Sequence, residues 1–357
     1  MKRIFAFVLT LVVFLSFAAC HQEETTHKSN LNQAASQDTP ITIKLGWAET
    51  SERSGHVLSE AAYTFKEQLE EMSNGTITVE LYPAAQLGDA TSMLTQVEAG
   101  TLESCMSISN GQFATSYYPD LGFLDIPYLF ESADEAYNLL NPDGDFFKKL
   151  QSDISEKTGI RPLVFFNEGL RHITNNKHEI KTPQDLVGLK IRTMNVTAHM
   201  KMFEALGALP TNVSWNELYT ALQTNVVDGQ ENPIANAVYI SAWEVQKYMT
   251  LDGHVCLCGL FCMNEDFYQS LSDSQKSAVD AAAQEALKAE YNMFKENEAV
   301  NLQKLKDNGL QVTELNRDEI DAFRKACQPT VLEYLRGVMD TPELLEEAMN
   351  AVASQRK

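Results

Sequence analysis

Apolar residues alternate with polar ones in some stretches of the chain and recur at helical spacing in others. Ile41, Ile43 and Leu45 alternate, which predicts a strand where the fold begins. Val57, Leu58, Ala61, Phe65, Leu69 and Met72 then follow helical spacing behind Ser54 as a cap, and Asn74-Gly75 stops that helix. Ile77, Val79 and Leu81 alternate again, a helix runs to Ala99-Gly100, and Cys105, Met106 and Ile108 belong to a third strand. The apolar run 121–130 reads as a buried, non-helical passage. Helices are expected near 133–140 and 145–157, with a strand over 161–166.

Residues 188–233 carry the densest pattern. Leu189, Ile191 and Thr193 share one face of a predicted strand, and Lys190, Arg192 and Met194 share the other. A helix follows with Asn195 as its cap, Met200, Phe203 and Leu206 on its apolar face, and Gly207 as its stop. Leu209-Pro210-Thr211 forms a short strand, and Ser214 with Glu217 forms a capping box for a second helix. Val226-Val227 then reads as a strand that breaks into the polar turn 228–233. This alternation is a wound α/β unit, in which ligands bind at the carboxyl ends of the strands. Arg192 and Asn232 stand at such ends.

Two later segments complete the organisation. Residues 254–263 read as a buried strand, and a helix is predicted from Ser272 to Asn308, ended by Gly309. At about 1.5 Å per residue that helix spans roughly 55 Å, more than one small domain is wide. From Gln311 the tail holds a strand and two or three amphipathic helices. Residues 41–167 are therefore assigned to a first lobe and 168–255 to a second, with 256–290 returning to the first and 297–357 to the second.

The N-terminus follows different rules. Lys2 and Arg3 precede an apolar run over 4–17 that is too short to span a bilayer comfortably. Phe17-Ala18-Ala19-Cys20 reads as a lipobox, with Phe where Leu is usual, so 1–19 is expected to be a lipoprotein signal peptide and Cys20 the lipidated residue. The alternatives are cleavage after Ala19 and an uncleaved anchor. Residues 20–40 are expected to form a disordered tether.

Composition narrows the function classes. A net charge of −21, with no long basic run, argues against a nucleic-acid partner or an anionic membrane surface. Beyond Cys20 there are five cysteines, an odd number. Cys256 and Cys258 would share a face with His254, but the spacing lacks a C-x-x-C pair, so small buried hydrophobes are the better reading than a metal site. The sequence contains no nucleophile elbow, P-loop, H-E-x-x-H or dinucleotide glycine fingerprint. No catalytic residues and no cofactor are expected.

Several runs carry a resemblance: Gly188-Leu189-Lys190-Ile191-Arg192, Ala205-Leu206-Gly207-Ala208, Glu217-Leu218-Tyr219-Thr220-Ala221-Leu222-Gln223 and Val227-Asp228-Gly229-Gln230-Glu231-Asn232-Pro233. With Gln86-Leu87-Gly88-Asp89 and Glu244-Val245-Gln246-Lys247-Tyr248, they resemble the solute-binding proteins of tripartite ATP-independent periplasmic (TRAP) transporters. The resemblance implies a two-lobe periplasmic-binding-protein-like α/β fold with hinge strands and a long helix spanning both lobes. It also implies an extracytoplasmic protein, lipid-anchored in this case, that hands an organic acid to a membrane permease. A sugar acid such as a uronate is favoured; a C4-dicarboxylate and sialic acid are the alternatives. A ligand-sensing module for a membrane receptor and a secreted hydrolase or lyase are the competing classes.

The candidate site residues follow. Arg192 suits a bidentate grip on a carboxylate, its alternative being a structural salt bridge; the resemblance aligns it with the arginine that fixes the substrate. By resemblance Arg171 is a second arginine of the site, Asn232 contacts substrate, and Trp215 lies against it. Asn232 otherwise reads as a turn residue before Pro233, and Trp215 as core. Glu49, Asp89, Ser109 and Asn110, at the ends of first-lobe elements, are expected to face the cleft. Asp89 alternatively caps a helix, Trp47 is open between core and cleft, and His172 and His199 read as surface or core fillers.

Overall fold

The computed structural model describes residues 39–356; for Ser107 and Ile108 it describes the backbone alone. The expected signal peptide, Cys20 and nearly all of the expected tether lie outside the described residues. In chain order the elements are β1 (Ile41–Gly46), α1 (Val57–Met72), β2 (Ile77–Tyr82), α2 (Ala90–Glu98), β3 (Ser104–Ser109) and α3 (Asn110–Ser116). A 3-10 helix, Pro119–Asp125, leads to α4 (Ala133–Leu139), α5 (Asp145–Thr158) and the long strand β4 (Ile160–Asn175). Next come β5 (Lys190–Thr193), α6 (Thr197–Ala205), β6 (Leu209–Asn212), α7 (Leu218–Gln223), β7 (Gly229–Pro233) and α8 (Ile234–Tyr239). The chain closes with β8 (Tyr248–Leu251), β9 (Cys256–Asn264), α9 (Glu265–Ser270), α10 (Asp273–Asp307), β10 (Gln311–Glu314), α11 (Arg317–Val338) and α12 (Glu343–Gln355). None of these helices is long and apolar enough to cross a membrane.

The strands run in the order β2-β1-β3-β9-β4-β7-β5-β6, and β8 joins β4 to β10. β4 is what two sheets have in common. Its residues 160–170 pair with β9 on the first side, and residues 171–175 pair with β7 and β8 on the second. The register slips between Asn167 and Gly169, so Glu168 is the extra residue of a bulge at the crossing. The architecture is the expected two-lobe α/β fold. α10, opened by a Ser272/Gln275 capping box, packs on α1, β4 and α8 and so bridges the lobes.

Some local readings need correction. The polar run Gly229–Pro233, read as a turn, is itself strand β7 and fully buried, whereas Val226 is 55% exposed. Hydrogen-bonded neighbours, and not apolar side chains, stabilise that strand in the interior. His56, without a capping bond, replaces Ser54 at the start of α1, and Met72 at its end is half-exposed. Val196, not Asn195, precedes α6. Ser214 Oγ donates to the Glu217 carboxylate at 2.7 Å instead of capping a backbone amide. The buried 121–130 passage begins inside the 3-10 helix. α12 packs on α4 and the 3-10 helix, while β10 pairs in parallel with β8. Trp47 is fully buried in the core.

Gly169 lies beside the bulge with φ +99°, and a Cβ there would sit 2.6 Å from the Phe294 ring of α10. Gly159 also has positive φ, +69°, but open space around its missing Cβ. Gly169→Ala is expected to cost about 2–5 kcal/mol, adding a close contact to backbone strain. Gly159→Ala should cost only about 1 kcal/mol. Urea unfolding of both variants checks this, and equal losses would refute the packing argument.

Candidate functional site

Two guanidinium groups organise the cleft. Arg171 stands on β4 just past the crossing and Arg192 on β5, with β7 between them. Both are buried, at 0% and 2% exposure. Burying a charge is costly unless an opposite charge and hydrogen bonds accompany it.

The two charges are compensated very differently. Arg171 Nε donates to Glu231 Oε2 at 2.5 Å, and its Nη2 donates to Glu231 Oε1 at 3.0 Å, to the Glu231 carbonyl at 2.6 Å and to Asn232 Oδ1 at 3.0 Å. Arg192 Nε donates to the Val213 carbonyl at 2.8 Å, and among the described residues no carboxylate forms an ion pair with it. Burial pulls the Arg192 guanidinium down to about 10, opposed by Glu231 at a distance and reinforced by Arg171. Nη1 of each arginine is shielded from water and has no hydrogen-bond partner among the described residues. The structural salt bridge weighed for Arg192 is thus absent from the described residues, and it is Arg171 that carries one.

Behind the arginines lies a buried network. His254 Nε2 meets Glu231 Oε2 at 3.1 Å while its Nδ1 meets Asp252 Oδ2 at 2.8 Å. Burial disfavours the imidazolium, but Asp252 and Glu231 outweigh it and push His254 up to about 9. His199 Nε2 faces Asp125 at 3.1 Å and its Nδ1 lies 3.8 Å from Glu231. Burial would raise Glu231, yet Arg171, His199 and His254 hold it well below the usual carboxylate range. Burial drives His172 the other way, to about 4, and its Nδ1 accepts from the Gly253 amide at 3.1 Å. Both histidines read as fillers therefore belong to this interior framework.

The arginines open onto a hollow of about 470 Å³. Glu49, Asp89, Ser109, Arg171, Arg192, Trp215 and Asn232 all line it. Glu49 follows β1 in a loop held by backbone bonds from Ala84 to the Glu49 carbonyl (2.6 Å) and from Ala85 to that of Trp47 (3.1 Å). Asp89 and Ser109 cap α2 and α3 as well, accepting from Ser92 N at 2.8 Å and Gln112 N at 3.2 Å. Trp215 stacks on Tyr239 with ring centres 5.9 Å apart.

Asn110 is the exception. Its Nδ2 donates to Asp125 at 2.9 Å and its Oδ1 accepts from Cys258 N at 3.2 Å, so it faces the interior. The residues overlooked were Glu231, Glu168, Asn195 and Asn236. The first had a legible signal, because a buried arginine demands a carboxylate and Glu231 sits within a quoted motif.

The sign of the His254 shift gives a pH dependence. Its folded value, about 9, lies above its ordinary 6.5, so its stabilisation is complete below pH 6.5 and is lost as pH rises through 9. Stability should fall by roughly 3 kcal/mol over that range. Denaturant titrations across the window should show the slope, and His254→Gln should flatten it.

Comparison with known proteins gives the family. Residues 48–337 match the family model described as bacterial extracellular solute-binding protein, family 7. The sialic acid-binding periplasmic protein of Vibrio cholerae is 32% identical over 85% of this chain and 91% of its own. A TRAP periplasmic solute-binding protein from Roseobacter denitrificans, solved with β-D-glucuronate, is 27% identical at a TM-score of 0.79, covering 87% of this chain and 99% of that one. The sugar acid-binding protein of Advenella mimigardefordensis in complex with galactonate is 27% identical at 0.80, covering 89% and 99%. The chain belongs to family 7 of the bacterial extracellular solute-binding proteins, the solute-binding proteins of TRAP transporters.

Proposed function

We propose that this protein captures a carboxylate-bearing organic acid outside the cytoplasm, a sugar acid such as a uronate being favoured, and delivers it to a TRAP membrane permease. The observation that carries this is Arg192, a buried guanidinium with an unpartnered Nη1 and no ion pair among the described residues. A ligand carboxylate would supply the missing partner through charge-assisted hydrogen bonds. Asn232 and Trp215 would hold the ligand from the second lobe, and Glu49, Asp89 and Ser109 from the first.

The balance of charge weighs against a C4-dicarboxylate. Arg171, the cation available for a second carboxylate, already has its charge matched by Glu231. One uncompensated guanidinium calls for one carboxylate. Glucuronate and galactonate in structural relatives support the same class. Residues 41–167 would form the first lobe and 168–255 the second, closing about β4, β9 and α10. The lipid anchor at Cys20 rests on Lys2-Arg3, the apolar run and Ala18-Ala19-Cys20.

Thermal shift of the full chain against uronates, aldonates, C4-dicarboxylates, sialic acid and neutral sugars tests the reading. A ligand at a hundred times its dissociation constant should stabilise the protein by about 2.7 kcal/mol. Arg192→Ala should weaken acid binding by about 30-fold or more, since removing one partner of a buried charged pair costs about 2–5 kcal/mol. Binding of neutral sugars that survives Arg192→Ala would refute the carboxylate clamp.

A further inference from the structure

Past Trp215 the cleft continues into a second hollow of about 620 Å³, and the two share Glu49, Glu168, Trp215 and Asn236 in their walls. The chemistry changes across that boundary. Among the described residues no arginine lines the second hollow, and the one lysine that does, Lys304, holds its ammonium 5.8 Å from the Trp243 ring. Glu52 and Glu298 add two further carboxyls to the shared pair.

Two of these carboxyls are placed by the fold. Glu168 is the extra residue of the β4 bulge and bonds Asn236 of α8. Glu298 projects from α10 with its Oε2 out of water and, among the described residues, without a partner. Burial pushes both up to about 7, in the case of Glu168 against Arg171 and Asn236. A carboxyl in that condition gains from a group that donates a hydrogen bond to it and loses from a further negative charge. The facing wall is aromatic: Trp215 stacks on Tyr239, and His56 meets Tyr239 edge-on at 5.4 Å. Such flat apolar faces pack against the carbon skeleton of a ligand while polar groups fix its orientation.

We propose that this second hollow receives the far end of the bound acid and selects monocarboxylates whose far end donates hydrogen bonds, through hydroxyl or ammonium groups, against acids with a second carboxylate. The inference rests on Arg192 as the carboxylate clamp and divides the sugar acids it would admit. Aldonates and uronates meet the requirement. Aldarates, which carry a carboxylate at each end of the same skeleton, do not.

The test is calorimetric titration of the full chain at pH 8, with both carboxyls ionised, using each aldonate and uronate beside the aldarate of its skeleton. The monocarboxylate should bind roughly tenfold or more tighter than its aldarate. Glu298→Gln, and separately Glu168→Gln, should bring that ratio towards one, because an amide does not repel the second carboxylate. A monocarboxylate with an ammonium in place of its terminal hydroxyl separates the two donor types, and either one binding above the aldarate supports the proposal. Aldarates that bind as tightly as their partners, or a ratio unchanged in both variants while Arg192→Ala still abolishes binding, would overturn it. Acid binding that persists in Arg192→Ala, or no acid binding at all, would instead remove the clamp on which it rests.

Discussion

The burial of two guanidinium groups on neighbouring strands is the constraint around which the second lobe is built. Arg171 and Arg192 oppose one another's charge, and neither can be left bare in a low-dielectric interior. Glu231 answers one of them. Doing so places a carboxylate at the centre of β7, and that carboxylate is in turn held by His254 and His199. Asp252 and Asp125 orient those rings from beyond. The network therefore fixes β4 against β7, seats α6 on the 3-10 helix, and sets the approach to β9. Arg192 is left as the one cation of the pair whose charge the interior does not match.

That framework also explains which parts of the fold could be read from sequence. β1, α1, β2 and α10 follow local rules, alternation or helical spacing, with a capping box at α10, and their signals survive without tertiary context. β7 does not. Gly229-Gln230-Glu231-Asn232-Pro233 looks like a turn because its stability comes from partners far away in sequence, Arg171, Thr174 and His254. Arg192 was legible by its chemistry on a strand in an acidic chain, and Arg171 through resemblance. Ser109 and Asn110 show the limit at single-residue scale: neighbours at a strand end, of which one caps a helix beside the cleft and the other turns to Asp125. Glu168 had no local signal, because a bulge is a property of two strands in register and not of one.

The placement of the first-lobe groups bears on how closure would be driven. A ligand held by Arg192 alone touches one lobe and has no preference for the closed arrangement, however tightly it binds. Differential affinity must come from groups across the cleft. Ser109 has limited capacity, since its hydroxyl accepts from Gln112 N and donates to Gln112 Oε1 at 3.2 Å. Asp89 is likewise engaged by the α2 cap, where both the amide and the side chain of Ser92 bond its carboxylate. Glu49 sits in a loop held by backbone bonds from Ala84 and Ala85, both in the left-handed region. Strain of that kind persists only where the surroundings over-determine it, and these two bonds tie the Glu49 loop to the turn after β2. Closure about β4 would then bring a row of acceptors towards a ligand already oriented by its carboxylate. An acid rich in hydrogen-bond donors would stabilise that state through contacts it does not make in the open one.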